Sequence, residues 1–262
     1  MLTVRSVKIL SDGALGSRGA ALHDDYSDQP GHRGLLLFDE ETLRHHMRRS
    51  AESGFQVNVH AIGDLANTRV LDEFEAMNAD PKLRTLRHRI EHAQIVRPSE
   101  IARFRELDVI ASIQPTHATS DKNMAGDRLG EERLKGAYAW QTLTREGARL
   151  AGGSDFPVEP PNPFFGLHAA VTRQDRDGNP LGGWRFEEAL NREQSLSLFT
   201  EDAAYAGHAE DLIGRLAPGY AADFILVSED FFTMPAGDIW KSTVQATVVA
   251  GELVFGSLQG HE

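Results

Sequence analysis

The chain has 262 residues, 40% of them hydrophobic and 25% charged, with a formal net charge of -12. That length serves one large domain or two small ones with a substantial core, and the acidic balance, spread along the chain, argues against a nucleic-acid partner, which needs basic patches. Cysteine is absent, which excludes disulfides and thiolate metal sites, leaves only N and O ligands for any metal, and fits a cytoplasmic location.

The opening MLTVRSVKIL lacks the apolar core and cleavage site of a signal peptide. No apolar run nears the roughly 20 residues that span a bilayer, so a soluble protein with no membrane partner is expected.

Residues 4–10 read as a strand, followed by the Gly/Ser-rich loop DGALGSRGAAL. Asp39 is placed to cap a helix running to about Ser53, with Leu43, Met47 and Ala51 at four-residue spacing and Gly54 as its stop. In the next run Phe55, Val57 and Val59 alternate with Gln56, Asn58 and His60. The apolar set belongs against covering helices, which aims His60 at the opposite face. Asp64 is expected to cap a second helix with a stripe of Ala66, Val70, Leu71, Phe74 and Met77, ended by Asp80-Pro81.

LRHRIEH is the next strand, Pro98 opens a short helix bearing Ile101, Phe104 and Leu107, and VIASIQP is another strand. Residues 118–136, rich in charge and glycine, read as an active-site loop leading into a helix. The strand RLAGGSD follows, then helical NPFFGLHAAVTR and EQSLSLFTEDAAYA. From about residue 207 the pattern becomes β without helices: a Pro-Gly turn before ADFILVSED, then the hairpin STVQATVVAGELVFG turning at Ala250-Gly251. Alternating strands and helices followed by a β tail predict an α/β fold with a separate small sheet.

Three acid–base side chains close apolar strand-like runs: His60 in GFQVNVH, His92 in LRHRIEH and Asp155 in RLAGGSD. In a parallel (β/α) barrel the C-terminal ends of the strands converge on one mouth. Two imidazoles and a carboxylate meeting there are the ingredients of a metal site or of acid–base catalysis. Lys8, in VRSVKIL, holds the equivalent place in an earlier run, although a lone strand lysine is more often an edge charge.

With 11 histidines in the chain, most must be ordinary. His23, His32, His45, His46, His208 and His261 are read as surface or packing residues. His117, just past the strand ending at Gln114, faces the same rim as the site. Glu91 has two readings, an orienting partner for a neighbouring group or an ion pair with Arg87 or Arg89. DGALGSRG lacks the spacing of a phosphate-binding motif, so no nucleotide is expected.

Taken together, VKILSDGALGSRGAAL, VNVHAIGDLANTRVLD, RHRIEHAQ, ASIQPTH, GGSDFPVEPPNP and the tail IGRLAPGYAADFILVSED with VVAGELVF resemble the metal-dependent hydrolases of the amidohydrolase superfamily. The branch is the one that contains N-substituted formamide deformylase and the D-aminoacylases. The resemblance implies a partial TIM-type (β/α) barrel of strands four to eight over residues 1–206, and a C-terminal β segment of the small sheet domain over 207–262. It implies Lys8 as a carbamylated bridging ligand, His60 and His92 as ligands of one metal, and Asp155 as ligand and catalytic proton shuttle. The reaction implied is hydrolysis of a carbon–nitrogen bond other than a peptide bond in a small amide or formamide. Water would be activated on a divalent metal, zinc first, with manganese, iron or nickel as alternatives. Arg18, Gln114 and His117 are the expected substrate contacts.

One departure stands out. The His-x-His pair that opens the family's barrel is missing, and His45-His46 lies on an expected helix. The chain is therefore expected to begin at the fourth strand, with open edges at the runs containing Lys8 and Asp155 that invite self-association. The alternative function is a catalytically inactive remnant or binding protein with a partial barrel. A lyase, isomerase or ester hydrolase on the same metal frame ranks below that.

Overall fold

A computed structural model describes residues 3–258. The chain forms two compact units, Met1–Ile113 with Ser120–Leu150, and Gln114–Thr119 with Ala151–Glu262.

The first unit is built on strands β1 (Ser6–Leu10), β2 (Gln56–Ala61), β3 (Arg89–His92) and β4 (Ile110–Ile113), each parallel to the next. The sheet continues to β5 (Leu150–Gly152) in the order β1-β2-β3-β4-β5. Helical crossovers separate the strands and spatial order follows sequence order, as in successive βα units of a barrel. Register places Ile9, Val57, Val59, Ile90 and Ala111 on one face, all buried, and Lys8, Asn58, His60, Arg89, Glu91 and Ser112 on the other. One face is thus dry packing and the other is mostly polar, with Leu10 and Ile110 among its members.

Helix α1 (Glu40–Glu52) starts as expected: the Asp39 carboxylate accepts the Thr42 N–H at 2.7 Å, and Leu43, Met47 and Ala51 are buried. Helix α2 (Asp64–Met77) starts differently. Its N-cap is Gly63, because a Cβ at that position would fall 1.9 Å from the Ala21 carbonyl oxygen. Asp64 is the first helical residue instead, and its carboxylate accepts the backbone N–H of His23. The expected stripe from Ala66 to Met77 is buried. The helix ends at Met77, and Asp80 caps the separate turn Pro81–Arg84.

Buried Asn67 ties this region together: its Nδ2 lies 2.9 Å from the Gly63 carbonyl and 3.1 Å from those of Ala61 and Ile95. The segment expected as a long loop is mostly helical, over Pro115–Asp121 and Ala125–Leu134, with a break at Gly130 (φ 71°). Its few buried apolar residues, among them Ala118, Ala125, Leu129 and Leu134, are split between two short helices. No sustained period survives in the sequence.

The second unit holds the helices Pro163–Thr172, Arg192–Phe199 and Glu201–Ala206. Asn162 caps the first, and Asn191 with Gln194 forms a capping box on the second. Strands β6 (Phe224–Val227), β7 (Val244–Val249) and β8 (Glu252–Gly256) make an antiparallel sheet of their own, as the tail pattern predicts. Ala250 (φ 51°) and Gly251 (φ 82°) supply the positive-φ pair that a two-residue hairpin turn requires. Among the described residues no helix is long and apolar enough to cross a membrane.

His88 marks where pH acts on this fold. It is 3% exposed, stacks on Phe74 at 5.1 Å, and its Nδ1 accepts the Val57 N–H at 3.1 Å. Burial pushes its pKa down from 6.5 to about 4. The unfolded chain therefore takes up the proton first, so His88's contribution is whole above pH 6.5 and is lost as pH falls through about 4. We expect stability to drop by up to about 3 kcal/mol across that window, and His88→Asn to flatten the drop. Urea unfolding of both proteins at pH 7, 5.5 and 4.5 measures it; parallel pH profiles would remove His88 as the cause.

Candidate functional site

His60 is the penultimate residue of β2, on the polar face of the sheet, level with Leu10 and Glu91. His92 is the last residue of β3, and strict alternation would leave it on the packed side with Ile90. Its φ of 79° breaks that alternation. The His60 and His92 rings meet edge to face, 4.5 Å between centroids and 74° between planes. A non-glycine residue at positive φ costs of order 1 kcal/mol, and such strain gathers at functional positions.

Asp12, two residues past β1, is a participant the sequence reading passed over. Its buried carboxylate accepts backbone N–H groups from Ala21 at 2.9 Å, Ile62 at 3.0 Å and Gly63 at 2.8 Å. One of its oxygens lies 3.3 Å from His60 Nε2. That contact does not make an aligned hydrogen bond, and the buried Nε2 has no hydrogen-bond partner. Ser11 adds a second tie, with its backbone N–H and its hydroxyl both donating to the His60 carbonyl. The one sequence signal for Asp12 is a carboxylate two residues after an apolar strand and directly before Gly13.

The remaining candidates occupy varied positions. Lys8 stands in the middle of β1 rather than at its end, is exposed, and is level with Asn58. Arg18 (φ 58°) makes a two-pronged pair with Asp28, at 3.1 and 2.8 Å, and Arg128 joins the same carboxylate. These partners hold Asp28 below the usual carboxylate range and raise Arg18. Glu91 pairs with Arg89 at 2.8 Å, the ion-pair reading of that residue.

Gln114, buried, is the first residue after β4, and its carbonyl accepts the N–H of His117, which lies on the helix Pro115–Asp121. Asp155 belongs to the second unit. It is exposed, follows β5 by three residues, and turns the chain at φ 55°.

Of the histidines read as ordinary, His23 contacts Thr68, His32 stacks on Tyr26, and His45 and His46 ride on α1. His208 sits in a turn, and His261 lies outside the described residues. Among the described residues no three His, Cys, Asp or Glu side chains are arranged to hold a metal ion. Of the residues expected at the site, the structure brings the His60 and His92 rings into contact.

Asp12→Ala would strand three buried N–H groups, each costing about 1–3 kcal/mol. A loss of at least about 3 kcal/mol is expected, and a smaller one for Asp12→Asn, which keeps an acceptor oxygen. Urea midpoints check this; an Asp12→Ala midpoint equal to wild type would show that the three bonds do not hold the loop.

A family model described as "Amidohydrolase family" matches residues 1–255. The chain is 36% identical over 250 residues to "Putative amidohydrolase YtcJ" of Bacillus subtilis (strain 168), covering 95% of this chain and 47% of that protein. It is 25% identical over 256 residues to "N-substituted formamide deformylase" of Arthrobacter pascens, covering 95% and 45%. A solved structure of an uncharacterized metal-dependent hydrolase from Pyrococcus horikoshii OT3 superposes with a TM-score of 0.78 at 34% identity, over 89% of this chain and 46% of that one. The chain thus spans about half the length of these relatives. The ordered parallel strands, the small antiparallel sheet and this match over nearly all its length agree: the chain belongs to the amidohydrolase family.

Proposed function

We propose that this chain carries part of the active site of a metal-dependent hydrolase that cleaves carbon–nitrogen bonds other than peptide bonds in small amides or formamides. The observation that carries the reading is the His60–His92 pair, two imidazoles in contact with a buried Nε2 that no protein group satisfies. Such a donor set fits zinc, and also manganese, iron or nickel. Lys8 and Asp155 complete the proposed ligand set. Relatives named as amidohydrolase, formamide deformylase and metal-dependent hydrolase support it.

A bound divalent metal supplies a Lewis acid that lowers the pKa of water and polarises a carbonyl. The chain's own groups do the rest. Asp12 and Ser11 fix the end of β2, so that His60 keeps its place. Asp155, exposed on a turn, accepts a proton from water and returns it to the leaving amine. Gln114 and His117 contact the substrate; Arg18, already matched by Asp28, is the weakest of the three contacts.

To the same proposal belong a barrel portion over 1–206, a small-sheet segment over 207–262 and a cytoplasmic location.

The test is metal titration of the purified chain by calorimetry, with metal content measured after dialysis. His60→Ala and His92→Ala should each weaken zinc binding by more than about tenfold, while His45→Ala should leave it unchanged. Zinc bound equally by the His60→Ala/His92→Ala double variant would end the assignment.

A further inference from the structure

Strand β3 ends on two successive residues at positive φ, His92 at 79° and Ala93 at 41°. Neither is glycine, and L-residues visit this region singly rather than in runs. Upstream, the chain is held by the β2–β3 ladder, where Glu91 is level with His60 and His92 with Ala61. Downstream, it is held at Gln94 by a different kind of contact.

Gln94 is 4% exposed and meets Tyr138 twice. Its carbonyl accepts the Tyr138 N–H at 2.7 Å, and its Nε2 lies 2.6 Å from the Tyr138 hydroxyl oxygen. The same Nε2 lies 3.0 Å from Asp121 Oδ2, to which the Tyr138 hydroxyl donates at 2.5 Å. The hydrogens balance. The amide has two, one for the phenol oxygen and one for the carboxylate, and the phenol has one, for the carboxylate. The three side chains close a ring around a charged acceptor, which makes the stronger class of hydrogen bond.

Beside this ring the chain around Tyr138 runs along that of Gln94. The Val96 N–H donates to the Gly136 carbonyl at 2.9 Å, and Ile95 forms a β-bridge with Ala137. The approach is close: a Cβ at Gly136 would fall 1.7 Å from the Val96 carbonyl oxygen. Ala93, Ile95 and Val96 are buried here, but apolar burial is non-directional and does not choose a backbone angle. Gln94 is fixed through backbone and side chain at once, so its orientation is set as well as its place. Only His92 and Ala93 lie between that anchor and Glu91 in the ladder, and they absorb the turn.

We propose that Tyr138, Asp121 and Gln94 are positioning residues for His92, holding the left-handed turn in which its ring meets that of His60. The consequence for metal binding rests on the hydrolase reading above. The hold on His92 does not.

NOE spectroscopy of the metal-free full chain, with labelled histidine, reports the ring contact, and calorimetric zinc titration reports the affinity of the pair. Tyr138→Phe keeps the buried ring and removes the hydroxyl. It should abolish the His60–His92 ring NOE and weaken zinc binding about tenfold. Asp121→Ala should do the same, while Asp121→Asn, which keeps an acceptor oxygen, should restore both. Asp39→Ala removes the cap of α1 and is the control for lost stability; it should move neither readout. If Tyr138→Phe fails to fold, Gln94→Met takes its place with the same expectations. A ring NOE that survives in Tyr138→Phe and Asp121→Ala overturns the proposal, and so does its loss in Asp39→Ala. Loss of the NOE with undiminished zinc binding upholds the positioning role and ends the metal reading of the pair.

Discussion

One buried carboxylate organises the candidate site. Asp12 takes three amide hydrogens from two parts of the chain, Ala21 further along the loop that follows β1 and Ile62-Gly63 just past β2. A carboxylate in such surroundings is tolerable only because those donors replace lost water. Together with Ser11 and the β-ladder, this exchange positions His60. Gly63 is pressed against the Ala21 carbonyl, α2 begins there, and Asn67 in its first turns reaches back to Ala61 and across to Ile95 beyond β3. The histidine pair thus sits on backbone cross-braced in two directions, the kind of support a precise site needs.

The crossover helices are held differently. Arg103 reaches Asp72, Glu75 and Glu100, and Arg44 reaches Glu40 and Glu73, so acidic residues of α1 and α2 are gathered by a few arginines. The pairs that end on exposed Glu40, Asp72 and Glu75 contribute about 0–1 kcal/mol each, while Glu73 is buried. Their effect lies in orientation and in relieving repulsion within a chain of net charge -12. Stability comes from the apolar stripe beneath, where Val70, Leu71 and Phe74 are fully buried.

Much of this architecture was legible in the residues. The Asp39 cap, the four-residue stripe of α1, the alternation in β2 and the tail hairpin are local patterns, and each forms where its pattern places it. What escaped was non-local. Asp12 matters through the amide of Ala21, nine residues on, and above all through those of Ile62 and Gly63, about 50 residues away and outside any local window. The turn of His92 depends on a backbone angle that composition does not encode. Gly63 displaced Asp64 as the cap because a carbonyl 42 residues earlier leaves no space for a side chain. Strand ends also moved: β5 stops at Gly152, so Asp155 lies past the sheet, and β1 runs two residues beyond Lys8.

Asn67 carries a consequence for the chain's chemical lifetime. Its amide nitrogen is surrounded by the carbonyl oxygens of Ala61, Ile62, Gly63 and Ile95. Hydrolytic deamidation would put an anionic oxygen among those acceptors, with no hydrogen to offer any of them. Held rigid within α2, the side chain is protected from that ageing reaction. An unfolded chain has no such protection, and each molecule that deamidates there loses the route back to this structure. Time spent unfolded then becomes irreversible loss, and the useful life of the protein is governed by how rarely it opens.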